Sequence, residues 1–141
     1  MPARKAQAVW NGDLQGGSGN LKLGSGAYDG QYSFKSRFEE GTGTNPEELL
    51  GAAHAGCFSM ALAAGLSRQG FTVNSIDTTA EVHLEKGESG FSIARIHLTT
   101  KGSVEGIDEA QFKEAAEGTK SSCIVSRALA SVPMTVDATL V

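Results

Sequence analysis

Cysteine is scarce in this chain: of 141 residues only Cys57 and Cys123 carry a thiol. Basic residues are also in the minority, 12 against 16 acidic ones for a net charge of -4, and no Lys/Arg block or stripe occurs. That excludes the electrostatic footprint of a nucleic-acid binder. The start, Met1-Pro-Ala-Arg-Lys-Ala-Gln7, leads into polar, glycine-rich sequence and has no apolar segment like that of a signal peptide. The expected location is therefore the cytoplasm, where permanent disulfides are uncommon and a cycling one is catalytic or redox-sensing. No repeat or linker divides the chain, so a single domain over 1–141 with a real core is expected. The glycine-dense stretch Asn11–Gly30 lacks the Gly-Lys-Ser/Thr ending of a phosphate loop, which rules out nucleotide binding there. His54 stands at ligand spacing from Cys57, three residues before it, but His83 and His97 each sit alone on a strand and no four-ligand motif forms, so no metal and no other cofactor is expected.

What the chain does contain is a pattern of strands and helices. Arg4–Trp10 and Leu21–Leu23 read as strands, and Tyr32–Phe38 alternates with Tyr32, Phe34 and Phe38 on one face and Ser33, Lys35 and Arg37 on the other. Asn45-Pro-Glu-Glu48 is a helix start: Asn45 caps, Pro46 takes the first helical position, and Glu48 stands where a capping-box acid belongs. This helix is predicted to run to about Gln69, with Gly70 as its stop. Leu49–Leu66 is almost free of charge, and is better read as a helix buried on all sides than as a membrane span, because its flanks are polar and the rest of the chain is amphipathic. Thr78–Leu84 and Phe91–Thr100 are strands of a hairpin that turns at Lys86–Gly90. Asp108 caps a helix to about Glu117, Ser121 or Ser122 caps a short one to about Ala130, and Met134–Val141 closes as a strand. The class is α+β, with strand clusters on either side of one long buried helix.

Cys57 lies in the middle of that helix, where a thiol is either core packing or the centre of the chemistry. No Lys or Arg occurs within Glu47–Ser67, so a charge that activates it must come from elsewhere. Arg37, just before the loop into the helix, is the best local candidate; the alternative is an exposed arginine paired with Glu39 or Glu40. Glu47 precedes Cys57 by ten residues, about 15 Å along a helix. Either it plays no part at Cys57 or it reaches the Cys57 of another chain. The small residues of this helix, from Gly51 to Gly65, would let two copies pack closely and antiparallel, which points to a homodimer with shared sites. Cys123 opens the third helix, where the dipole favours a thiolate, with Lys120 close in sequence.

The stretch Arg37–Leu62, with Asn45-Pro-Glu47, Gly51-Ala-Ala-His-Ala55 and Cys57-Phe-Ser-Met-Ala-Leu62, resembles the osmotically inducible protein C (OsmC) family of thiol peroxidases. It is more similar to the OsmC branch than to the organic hydroperoxide resistance (Ohr) branch. Trp10-Asn-Gly-Asp13, Ser75-Ile-Asp-Thr-Thr-Ala80 and Gly106-Ile-Asp108 support the likeness. The resemblance implies an intertwined α+β homodimer, its long central helices wrapped by antiparallel sheets and its sites at the interface. It places the peroxidatic cysteine on Cys57, the resolving cysteine on Cys123, the activating arginine on Arg37 and its partner glutamate on Glu47. It implies a dithiol reductant, a lipoylated protein or a similar molecule. One departure stands out: the family usually has proline after the resolving cysteine, and this chain has Ile124, which is expected to loosen that turn.

The expected activity is reduction of organic hydroperoxides, with hydrogen peroxide a poorer substrate. Cys57 becomes a sulfenic acid, Cys123 condenses with it, and the disulfide is reopened. Arg37 is expected to lower the thiol pKa, and Glu47 to hold its guanidinium by two hydrogen bonds. Phe58, Met60, Phe34 or Phe38 would wall the site. Two other readings remain: a non-catalytic homodimer that binds a small molecule and senses redox state, and a cysteine hydrolase with His54 as base.

Overall fold

The computed structural model describes residues 1–141, which fall into two compact units, 1–49 and 50–141. The first unit is built on a three-stranded antiparallel sheet in the order β1 (Ala6–Asn11), β2 (Ser18–Leu23) and β3 (Asp29–Tyr32). Glycine is needed here for close approach. A Cβ on Gly19 would lie 2.4 Å from Tyr32 Cε1 and 2.7 Å from Trp10 Cε3, so the tilted contact between those two rings forms only over a bare backbone.

The alternation of Tyr32–Phe38 does not continue as a strand. β3 ends at Tyr32, and Phe34–Phe38 is a short helix, α1. Ser33 and Ser36 form a reciprocal capping box, which fixes two backbone donors and tips the segment into a helix. Phe34 and Phe38, read as sharing a strand face, meet instead as an i, i+4 helical pair with ring centroids 4.9 Å apart.

Helix α2 (Pro46–Arg68) begins where the sequence indicates, with the Glu48 N–H donating to Asn45 Oδ1 at 2.7 Å. Glu48 does not complete the box. Its carboxylate accepts from the Thr44 hydroxyl, while Asn45 Nδ2 donates to the Ser36 carbonyl. The helix stops before Gly70, whose φ is +94°. α2 is long and apolar enough to cross a membrane by length and composition. Within a single chain it buries one stripe, Gly51, His54, Phe58, Leu62 and Leu66, and leaves Ala52, Ala53, Gly56, Met60 and Ala64 exposed.

The second unit carries the main core. β4 (Thr72–Gly87) and β5 (Gly90–Glu105) form a long antiparallel hairpin, and β6 (Met134–Leu140) joins β5 in parallel. The strands exceed the predicted spans because Thr, Ser and Gly positions at their ends pair as well as the apolar ones do. The sheet is thus mixed rather than purely antiparallel. Ile96, Leu98, Thr100 and Gly102 alternate inward along β5. They meet Phe58, Leu62 and Leu66 of α2 and Phe112 and Ala116 of helix α3 (Glu109–Ser122), each large side chain contributing about 1.5–3 kcal/mol on burial. A file of hydroxyls crosses this core, Ser59 to Thr78 at 2.7 Å and Thr78 to Thr100 at 3.0 Å, so the buried Thr100 is satisfied. α3 is capped by an Asp108/Gln111 box and runs past Glu117 to Ser122. Neither Ser121 nor Ser122 caps the next helix: both belong to α3, and Cys123 is the N-cap of α4 (Ile124–Ala128).

Gly102 leaves room for the ring of Phe112: an added Cβ would lie 2.4 Å from Phe112 Cζ. Gly102→Ala is expected to cost about 1–3 kcal/mol in a denaturant melt, with Phe112→Leu in the same chain recovering part of it. Strict additivity of the two losses would show that this contact does not set the packing.

Candidate functional site

Two pairs of side chains stand out, one in each unit. In the first unit, Arg37 on α1 donates from Nε to Glu47 Oε1 at 2.8 Å. It does not pair with Glu39 or Glu40, and its guanidinium carbon lies 5.3 Å from the Phe38 ring centroid. The Glu47 side chain is 9 % exposed and that of Arg37 39 %. Only one hydrogen bond joins them, not two, and Glu47 Oε2 is buried with no partner. An unfilled oxygen on a nearly buried carboxylate costs about 1–3 kcal/mol, so the pair is built with one acceptor position open. Arg37 also borders a cavity of about 270 Å³ whose other walls include Trp10, Leu14, Tyr32, Phe34 and Phe38. Phe34 and Phe38, named from the sequence as walls of the Cys57 site, line this cavity beside Arg37 together with Trp10, Leu14 and Tyr32, which were not named; Met60, also named, is exposed. Phe58, also named as a wall, is wholly buried in the core of the second unit instead.

In the second unit, Cys57 and Cys123 are free thiols with their sulfurs 3.3 Å apart. An S–S bond measures about 2.05 Å, so small side-chain movements suffice to close one. The two sulfurs differ in access: Cys57 is half-buried, Cys123 1 % exposed. Burial pushes the Cys123 thiol up, but it is outweighed by the backbone N–H of Ser126, the Cys57 thiol, the Ser126 hydroxyl and the N–H of Val125. Together they hold Cys123 below its ordinary value. Lys120 contributes no such contact, being committed to Glu117 at 3.0 Å. Ile124 occupies the first position of α4, and Cys123, its N-cap, has φ -55° and ψ 138° with no side-chain cap bond.

His54 joins this cluster. It is fully buried, and its Nε2 lies 2.7 Å from Ser126 Oγ, while Nδ1 has no partner. Its partner was not foreseen, although the spacing was available: His54 and Cys57 stand three residues apart, as do Cys123 and Ser126. His83 and His97 lie elsewhere, with Arg95, and with Thr135 and Asp137, as neighbours.

Burial lowers the pKa of His54 from 6.5, keeping the folded-state ring neutral where an unfolded chain would protonate it. The folded state then binds fewer protons, so this contribution is complete above pH 6.5 and is lost as pH falls below it. His54→Gln is accordingly expected to show a shallower acid loss of stability than the parent in urea melts between about pH 7.5 and about pH 5. Parallel curves would show that His54 does not titrate across unfolding.

Residues 39–137 match the family model described as "OsmC-like protein". The chain is 49% identical over 127 residues to Peroxiredoxin OsmC of Escherichia coli (strain K12), covering 89% of each. It is 30% identical over 116 residues to the organic hydroperoxide resistance protein OhrB of Bacillus subtilis (strain 168), covering 80% of this chain and 82% of that one. The crystal structure of B. subtilis OhrB superposes with a TM-score of 0.72 at 25% identity, over 97% of this chain and 98% of the other. With this fold, this pair of thiols and these relatives, the chain belongs to the OsmC-like protein family and is a thiol-dependent peroxidase.

Proposed function

We propose that this protein reduces organic hydroperoxides to alcohols, with Cys57 as the peroxidatic and Cys123 as the resolving cysteine. The observation that carries the proposal is the pair of free thiols 3.3 Å apart, one reachable from solvent and the other sealed. The Cys57 thiolate attacks the distal peroxide oxygen and the O–O bond breaks. The alkoxide leaves and takes up a proton as the alcohol, and Cys57 becomes a sulfenic acid. Cys123 sulfur then attacks Cys57 sulfur, an S–S bond forms, and the sulfenic oxygen departs as water. A dithiol, a lipoylated protein or a similar molecule, reopens the bond by exchange. The reducing cytoplasm is the compartment in which such a pair would cycle.

Arg37 supplies the positive charge. Its Nε is occupied by Glu47, which leaves the terminal nitrogens for the thiolate and the peroxide oxygens. The aromatic cavity beside it suits an alkyl or aryl group, which makes hydrogen peroxide the poorer substrate.

The complete site, on this reading, takes two copies of the whole chain. Glu47 and Cys57 lie ten residues apart on the continuous helix α2, about 15 Å, and cannot meet along it. The open face of α2, with Ala52, Ala53, Gly56 and Ala64, admits the α2 of a second copy at close range. An antiparallel pair brings the Arg37–Glu47 pair of one chain to the Cys57 of the other.

Mixing of defective chains tests both the reaction and the sharing. Cys57→Ser and Arg37→Ala are each expected to lose hydroperoxide turnover with a dithiol as reductant. Refolded together they are expected to recover about a quarter of wild-type activity, since half the dimers are mixed and each of those holds one intact site. No recovery in demonstrably mixed dimers would place Arg37 and Cys57 of one site in one chain. A wild-type protein that oxidises once and stalls would leave a sensor rather than an enzyme.

A further inference from the structure

His54 and Ser126 are 0 % and 3 % exposed and lie beside the two sulfurs, yet the cycle above gives neither a part. Their arrangement is regular. His54 and Cys57 are three residues apart on α2, which places them on one face. Cys123 and Ser126 are the N-cap and third residue of α4, so they too share one turn. The two elements meet through both pairs, His54 Nε2 to Ser126 Oγ at 2.7 Å and Cys57 Sγ to Cys123 Sγ at 3.3 Å.

The protons follow from burial. His54 Nδ1 is buried and unpartnered, and a buried N–H without an acceptor is rarer in proteins than an under-used acceptor. The ring is neutral, so its single proton belongs on Nε2 and is donated to Ser126 Oγ. That bond occupies the serine oxygen as an acceptor. The serine hydrogen is left to turn elsewhere, and Cys123 sulfur stands on the same turn of helix.

Taking the peroxidase cycle as given, we propose that His54 and Ser126 are positioning residues for the resolving cysteine: His54 Nε2–H orients the Ser126 hydroxyl, which donates its hydrogen to Cys123 sulfur whenever that sulfur carries negative charge. The relay acts in both halves of the cycle. In resolution it steadies the Cys123 thiolate that attacks Cys57 sulfur; the S–O bond breaks, and the departing hydroxide takes the proton Cys123 has shed, forming water. In reduction the thiolate of the external dithiol attacks Cys57, the more accessible sulfur, the S–S bond breaks, and Cys123 leaves as a thiolate into the same hydrogen bond. A better stabilised leaving group departs faster, so the relay directs exchange to Cys57. The relay protons remain on their own atoms throughout.

The two thiols can be followed separately. Reduced protein is mixed with one equivalent of tert-butyl hydroperoxide, quenched by alkylation at successive times, and each cysteine is quantified by peptide mass spectrometry. In Ser126→Ala, loss of the Cys123 thiol is expected to slow about tenfold relative to loss of the Cys57 thiol. Ser126→Thr, which keeps a hydroxyl, restores the ratio, and His54→Gln, which keeps an N–H donor, holds it near wild type. The reverse step is read on protein oxidised beforehand with a chemical disulfide: dithiothreitol is expected to reopen the Ser126→Ala disulfide about tenfold more slowly. Wild-type ratios in Ser126→Ala, or equal slowing in Ser126→Ala and Ser126→Thr with both proteins folded, would overturn the relay. A wild-type Cys57 that fails to react with the hydroperoxide is a different result: it removes the peroxidase reading, and the relay with it.

Discussion

The contact on which the site depends is the docking of α2 against the N-terminus of α4. Phe58, Leu62 and Leu66 press α2 into the core of the second unit, and His54 is held to Ser126 a turn away from the sulfurs. The apolar stripe fixes the height of the helix, and the polar pair resists its rotation about its own axis. With both in place, Cys57 and Cys123 meet at 3.3 Å although 66 residues separate them. Loss of the stripe would free the helix to slide, and loss of the polar pair would free it to turn. The disulfide proposed for this pair needs neither to happen.

Asymmetry between the two sulfurs follows from the same packing. Cys123 lies at the junction of α3 and α4, buried but close to amide and hydroxyl donors that offset its desolvation. Cys57, three residues from His54, faces the edge of the buried stripe and keeps some exposure. A peroxide therefore has a route to one sulfur and little access to the other. In the first unit the Arg37–Glu47 pair shows a comparable economy, with one bond made, one carboxylate oxygen open, and the arginine bordering an aromatic cavity.

Much of this was legible in the residues. Asn45-Pro46 announced the start of α2, Asp108 that of α3, and the alternation of the hairpin strands gave the main sheet. The segment Tyr32–Phe38 misled because Phe34 and Phe38, four apart, satisfy a strand and a helix equally well over so short a window. The Ser33/Ser36 box was the discriminating signal. The start of α4 was misplaced because serine is a common cap, whereas Cys123 takes the position without any side-chain bond. The resemblance named Cys57, Cys123, Arg37 and Glu47 and paired them as they are found, but the single Arg37–Glu47 bond and the 3.3 Å approach of the sulfurs could not be read from it. Such contacts are set by how α2 lies on the sheet, and the His54–Ser126 pair, 72 residues apart, was hidden for the same reason.

On the proposed reading, Cys57 and Cys123 react together with a peroxide. The most direct test is the intact mass and free-thiol count of the reduced protein after one equivalent of an organic hydroperoxide per chain, with hydrogen peroxide in parallel. Loss of both thiols and of about 2 Da per chain, faster with the organic peroxide, is the expected result. Survival of both thiols, or a gain of oxygen at Cys57 with Cys123 left reduced, would contradict it.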